Sequence, residues 1–262
     1  MKNARILIIP DVHGRSFWRT AVDKALKSDI IPEIVFLGDY VDPYPLEGIS
    51  PGEAINGLFE ILSIKKKNPD KVHLLLGNHD MGYLDSYINT CRRDEEHEAL
   101  LHRLFSVNLP LFDLAWETRV SGKRFLFTHA GVNRRWLLGN EFFFEGKEDI
   151  TASFLNGALH SNSQQSSRYE ELLSILSDAS FLRGGSTTYG SVIWADVAEF
   201  LIDDNCLKDT IQVFGHTQQL EAPLCLGEKG NPNTYCLDCR EPFILDAEGN
   251  IRHYSTGEIV GL

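Results

Sequence analysis

Ile6-Leu7-Ile8-Ile9-Pro10-Asp11-Val12-His13-Gly14 is an apolar run that stops at an aspartate and, two residues on, a histidine. Aliphatic and β-branched side chains without polar alternation predict a strand over residues 5–9 that is buried on both faces. Asp11 and His13 then stand in the loop at its carboxyl end. The pattern returns twice downstream. Glu33-Ile-Val-Phe-Leu-Gly38 delivers Asp39 and Asp42, and Val72-His-Leu-Leu-Leu-Gly77 opens onto Asn78, His79 and Asp80. Between these runs a helix is predicted over about Ser16 to Ser28. A second starts at Ser50-Pro51-Gly52-Glu53, with a capping serine, proline at the first helical position and glutamate at the third. Its expected buried stripe is Ile55, Leu58, Phe59 and Leu62, and Asn68-Pro69 ends it. Repeated strand, loop, helix and strand predict a largely parallel sheet with a site at the carboxyl ends of its strands.

Further along, a helix from about Asp94 to Phe105 is expected to turn Leu100, Leu101, Leu104 and Phe105 to one face. Leu114 to His129 reads as a hairpin through Ser121-Gly122, its second strand running directly into His129. Residues 133–182 change character and read as a helical insertion able to cover the site as a partial lid. They hold the aromatic run Phe142-Phe143-Phe144, read as packing within the insertion, a serine- and glutamine-rich patch from Ser161 to Ser167, and a capping box at Ser167 and Glu170. Thr210-Ile-Gln-Val-Phe-Gly215 resumes the strand pattern and ends at His216. Two closing segments, around Thr234 to Asp238 and Phe243 to Tyr254 with a turn at Glu248-Gly249-Asn250, are expected to finish a second sheet. With no internal repeat and no linker, residues 1–262 read as a single domain that includes the insertion.

Composition bounds the function. The chain is 43% hydrophobic and 24% charged, as in ordinary globular proteins. A formal charge of −12 argues against holding nucleic acid over a broad surface, so no nucleic-acid partner is expected. No apolar run is long enough for a membrane helix, and the N-terminal run is too short for the core of a signal peptide, which makes the cytoplasm the expected location and leaves no membrane partner. The five cysteines are odd in number and scattered, which suits reduced thiols. The single pair Cys236-Leu-Asp-Cys239 is read as ordinary thiols in a strand.

The strand-like runs thus end in Asp11 and His13, Asp39 and Asp42, Asn78 and His79, His129, and His216. Imidazole, carboxylate and one carboxamide recur there. This donor set suits manganese, iron or zinc, with no thiolate to build a closed structural zinc centre. It exceeds what one ion with an open position takes; two divalent ions sharing a bridging carboxylate use it fully. His73, His97, His102, His160 and His253 carry no such pattern and are read as ordinary polar residues.

Taken together and in order, Asp-x-His-Gly at 11–14, Gly-Asp-x-x-Asp at 38–42, Gly-Asn-His-Asp at 77–80, His-Ala-Gly at 129–131 and Gly-His at 215–216 resemble the signature of the calcineurin-like metallophosphoesterases. Within that superfamily the chain looks like the phosphoprotein phosphatase branch, which also holds diadenosine tetraphosphate hydrolases. The resemblance implies a four-layer αββα sandwich, in which two mixed sheets pack face to face between helices. It also implies that Asp11 and His13 bind a first ion, that Asp39 bridges, and that Asn78, His129 and His216 bind a second. A hydroxide bridging the ions would attack phosphorus. His79 would serve as general acid, with Asp42 accepting its other ring proton. Asp80 is read as a helix cap.

Two departures narrow the reading. Many relatives end in Gly-His-x-His, whereas Thr217-Gln218 follows here, leaving the first ion with fewer protein ligands. Typical members of the phosphatase branch carry an arginine just after Gly-Asp-x-Val-Asp, whereas this chain has Pro43-Tyr44. Arg15 and Arg183 are the candidates for the missing phosphate grip. Trp194-Ala-Asp196 is assigned no chemistry. The implied reaction is hydrolysis of a phosphomonoester, on protein or small molecule, with manganese the first choice of metal and iron, zinc, nickel or magnesium the alternatives. A nucleotide or dinucleoside polyphosphate is the second substrate class, and a metal-free interaction scaffold the alternative of another kind.

Overall fold

A computed structural model describes residues 5–86, 88, 90–147, 150–161, 167–202, 205–228 and 231–261. Its elements are β1 (Ile6–Ile9), α1 (Arg19–Leu26), β2 (Glu33–Phe36), α2 (Pro51–Lys67), β3 (Val72–Leu75), α3 (Asn78–Met81), α4 (Glu98–Asn108), β4 (Phe112–Asp113), β5 (Ala115–Val120), β6 (Lys123–Thr128), α5 (Arg134–Gly139), α6 (Ala152–Leu159), α7 (Ser167–Leu176), β7 (Ile211–Phe214), β8 (Leu224–Glu228), β9 (Asn231–Cys236), β10 (Phe243–Leu245) and β11 (Ile251–His253).

The strands form two mixed sheets, ordered β11-β10-β1-β2-β3-β4 and β5-β6-β7-β9-β8. β1 to β4 run parallel, as do β6, β7 and β9, and antiparallel strands close every edge but the one at β4. The unbroken apolar runs follow from this stacking, because both faces of each central strand are covered. Ile6, Ile8, Val35, Leu37 and Leu75 meet Phe125, Phe127, Ile211 and Val213 between the sheets. Leu7, Ile9, Ile34, Phe36 and Leu74 point the other way, into the core built with Val22, Ala25, Leu58 and Ile61 of α1 and α2. On the far side Phe214 packs with Val197 and Phe200. The expected four layers are therefore present.

Local signals acted as read at several ends. In α2, Ser50 Oγ accepts the Glu53 N–H while the Glu53 carboxylate accepts the Ser50 N–H, a reciprocal cap whose removal typically costs about 0.5–2 kcal/mol. Ser121 and Gly122 both have positive φ, the geometry of the tight turn that matches strand twist. Asn156 of α6 pairs with the backbone of Leu114 and Ala115 and docks the insertion on the start of β5.

Other expectations change. α1 is shorter than Ser16 to Ser28. Phe59 and Leu100 are exposed, because neighbours on each helix already cover the face toward the core. Of the aromatic run, Phe143 and Phe144 are buried against Trp136 and Phe154, while Phe142 faces solvent. Residues 162–166 of the serine- and glutamine-rich patch lie outside the described residues; Ser167, expected to cap α7, is its first helical residue. The closing segments part company: β9 joins the second sheet, but β10 and β11 return to the first. β10 satisfies the otherwise open edge of β1, pairing Ile6 with Leu245 and Ile8 with Phe243. β8 was not anticipated. Among the described residues no helix is long and apolar enough to cross a membrane.

Candidate metal centre

The loops after β1, β2, β3, β6 and β7 converge at one end of the sandwich, and three of them are held in conformations that L-residues seldom adopt. His13 (φ 44°), Asp39 (φ 52°), Asp42 (φ 58°) and His216 (φ 63°) all lie in the left-handed region, which persists in non-glycine residues only where the surroundings enforce it. Two glycines are required for a different reason. A Cβ on Gly77 would lie 2.1 Å from Asp39 Oδ1, and one on Gly215 would lie 2.0 Å from Asp11 Oδ1. Each glycine ahead of one candidate ligand thus makes room for another from a distant strand.

Ring orientation is set by the backbone. His13 Nδ1–H donates to Val41 O and His129 Nδ1–H to Leu37 O, both at 2.8 Å. Each ring therefore presents its Nε2 lone pair inward, the tautomer a metal ligand needs. Asp39 Oδ2 stands 3.4 Å from His13 Nε2 and 3.5 Å from His129 Nε2. Asn78 Oδ1 and His216 Nδ1 lie 3.0 and 3.2 Å from that same His129 nitrogen. His216 Nε2 is buried without a partner. Two clusters have ligand atoms mutually within 4.8 Å, namely His13, Asp39 and His79, and Asp39, His129 and His216; Asp39 belongs to both. So many acceptor atoms turned toward one another repel unless a cation lies among them, and the donor set fits a pair of divalent ions joined by Asp39. Asp11 is turned slightly aside, its two oxygens accepting the His216 N–H at 3.0 and 3.1 Å.

Electrostatics agree with that reading. Burial raises the Asp11 carboxyl to about 6 and lowers the His13 imidazole to about 3. Burial also pushes the His216 ring well below its ordinary value. For Asp39, burial works upward, but His129, His79 and His13 outweigh it and hold the carboxyl at about 2. The pocket thus keeps His13 and His216 neutral and the Asp39 carboxylate charged, as metal ligation requires.

A model of the calcineurin-like phosphoesterase family matches residues 4–220. The chain belongs to the calcineurin-like phosphoesterases. No curated protein matches it by sequence at a significant level. Among solved structures, a cold-active protein-tyrosine phosphatase of a psychrophilic Shewanella species superposes with a TM-score of 0.61 at 17% identity, covering 98% of this chain and 80% of that one. A protein serine/threonine phosphatase from Saccharomyces cerevisiae gives a TM-score of 0.51 at 15% identity, covering 92% and 72%. At these identities the likeness is one of fold.

Around the candidate ligands of this phosphoesterase lies a second set of residues. His79 Nδ1–H donates to Asp42 Oδ2 at 2.6 Å, and Tyr83 Oη donates to the other oxygen of that carboxylate. Burial opposes protonation of His79, yet Asp39, Asp42 and Cys91 outweigh it and bring the ring to about 10. Asp80 does not open a following helix as expected; it is the third residue of α3, where its carboxylate accepts the N–H of the N-cap Gly77 at 2.9 Å and those of Asp39 and Tyr40 at 2.8 and 3.0 Å. It therefore ties two ligand loops together. Cys236 Sγ–H donates to Gly215 O and links β9 to the His216 loop.

The two arginines singled out from the sequence fare differently. The fork of Arg15 is taken by Glu47, at 2.7 and 2.9 Å, and its Nη1 donates to Asp11 O at 3.4 Å. Arg183 stands beside the His216 loop, bonded to Thr217 Oγ1 and paired with Asp196 at 2.9 Å. Arg92, which no sequence pattern marked, comes closest to the general-acid position: Nη2 lies 3.2 Å from His79 Nε2 and Nε donates to Asp42 O at 3.4 Å. Tyr83 and Arg92 sit in the irregular segment between α3 and α4. Neither periodicity nor a strand end points to them, and the only available signal was the paired Arg92-Arg93 in a chain poor in basic residues.

Proposed function

We propose that this phosphoesterase hydrolyses phosphomonoesters, on protein or small molecule, with two divalent ions. Asp11, His13 and Asp39 would hold one ion and Asp39, Asn78, His129 and His216 the other. What carries this reading is Asp39 Oδ2, nearly equidistant from the inward nitrogens of His13 and His129. When bound, the ions supply an acidified water as nucleophile and neutralise charge on the phosphoryl oxygens.

The protein's own groups do the rest. Asp42, fixed by Tyr83, keeps a proton on His79 Nδ1 and aims Nε2 at the cleft, from which a proton passes to the departing oxygen. Asp80 keeps the Asp39 turn in place, so the bridging position exists before any ion arrives. Asn78 contributes a neutral carbonyl oxygen to a site already rich in negative charge.

Purified protein stripped with chelator should be inactive toward p-nitrophenyl phosphate and regain turnover when manganese is added. Silence with manganese, iron, zinc and nickel alike would sink the reading.

A further inference from the structure

Beside the metal ligands, three guanidinium groups surround one aromatic ring. Tyr44 packs edge-on against His13, with ring centres 5.2 Å apart. Arg92 lies over its face at 3.8 Å, Arg15 at 5.0 Å and Arg240 at 5.9 Å. Among the described residues, Glu47 is the carboxylate in ion-pair distance of the group, taking Arg15 through both oxygens and Arg240 at 3.1 Å. Among the described residues Arg92 has no carboxylate within ion-pair distance: its neighbours are the Asp42 carbonyl, Cys91 Sγ and the His79 ring. Three cations thus share one ion-paired carboxylate, in a chain whose formal charge is −12.

The cluster touches both walls of the cleft. Arg92 reaches His79, the side on which a leaving group departs. Arg240 reaches Gln218, whose carboxamide oxygen, turned toward it, accepts from its Nε at 3.1 Å. Gln218 directly follows the His216 loop. Backbone conformation points the same way. Arg92 and Arg240 both have φ 64°, a left-handed conformation that non-glycine residues seldom adopt and that persists where the surroundings enforce it. Stacking on an aromatic floor occupies the guanidinium faces, and each η nitrogen of Arg92 carries a second N–H, beyond the one turned to Cys91 or to His79, with which to fork onto an anion.

We propose that Tyr44, Arg92 and Arg240 form a second anion site, which binds a phosphate other than the one hydrolysed and so selects small molecules carrying two phosphoryl groups. This rests on the phosphoester reading of the neighbouring centre. Arg15 has a supporting part, since its salt link orients Glu47, which in turn steers Arg240. The site lies toward the departing group, so the second phosphate remains on the leaving alcohol.

A matched pair of probes tests this: propyl phosphate against 1,3-propanediol bisphosphate, each titrated by calorimetry into manganese-loaded protein, with the binding ratio as readout. The wild type is expected to prefer the bisphosphate at least tenfold. R240Q and R92Q are each expected to bring that ratio to within about twofold of one. Arg240 is 42% exposed, so its replacement leaves the core untouched. A wild-type ratio near one overturns the proposal, as does a ratio that both variants retain, since two dications alone would then explain the preference. Binding needs no turnover, so failure of the hydrolysis assay and failure of this site are separately visible.

Discussion

The Asp80 carboxylate accepts the backbone N–H of Asp39 at 2.8 Å, across the gap between the loops after β3 and β2. The proposed bridging residue is thereby held by a carboxylate that belongs to neither His/Asp cluster. Asp80→Ala would strand the N–H groups of Gly77, Asp39 and Tyr40 in a dry interior, at a cost of about 1–3 kcal/mol for a buried group left unpaired. Stability in denaturant should fall, and manganese should bind at least tenfold more weakly. Asp80→Asn, which keeps an acceptor oxygen, should lose less of both. Wild-type metal affinity in Asp80→Ala would show that the tie does not organise the site.

His79 is close enough to His13 and Asp39 to be taken for a ligand, yet its Nδ1 is committed to Asp42. His79→Ala should retain both ions and lose about 10²–10⁴ in turnover, the typical worth of a positioned general acid. The loss should be smallest for esters with good leaving groups such as p-nitrophenolate. Metal analysis of the purified variant decides the matter: a missing ion would make His79 a ligand.

Gly77→Ala tests the close approach of the two loops. The added methyl would fall 2.1 Å from Asp39 Oδ1 and 2.7 Å from His129 Cε1, so the loop must shift, at a cost of about 1–3 kcal/mol as for other overpacked sites. Metal stoichiometry should drop before the fold is lost. A variant that binds two ions with native stability would mean that the loops move freely past each other.

Asp246 closes the turn between β10 and β11, accepting from Glu248 N at 3.1 Å and Asn250 N at 2.8 Å and pairing with Arg252 Nε at 2.6 Å. Burial raises its pKa, but the Asn250 and Arg252 contacts outweigh burial and hold the carboxyl below its usual value. The folded value being the lower, the charge stabilises the fold above the unfolded pKa of about 3.9, and that share is lost as pH falls through the folded value. Asp246→Asn should therefore cost about 1.5–3 kcal/mol at pH 7, as for a hydrogen bond to a charged group, with the difference shrinking below about pH 4. Denaturant midpoints across that range provide the check, and a gap independent of pH would count against a role for the charge.

Much of this was legible in the amino-acid order alone. Strand runs ending in Asp11, Asp39, Asn78, His129 and His216 marked the candidate ligands that the fold brings to one end of the sandwich, because a two-sided strand and the loop after it are written in consecutive residues. The caps of α2 and the turn at Ser121-Gly122 were legible for the same reason, since their partners lie within a few positions. Tertiary structure decided the rest. Whether β10 extends the first sheet or the second depends on which edge is open, a property of the assembled sheet. Which arginine faces the cleft depends on where a long side chain finds its partner: Glu47 takes Arg15 from 32 positions away, and Arg92 reaches His79 out of a segment without periodicity. A ligand's identity is local, whereas the reach of a guanidinium is settled only when distant loops meet.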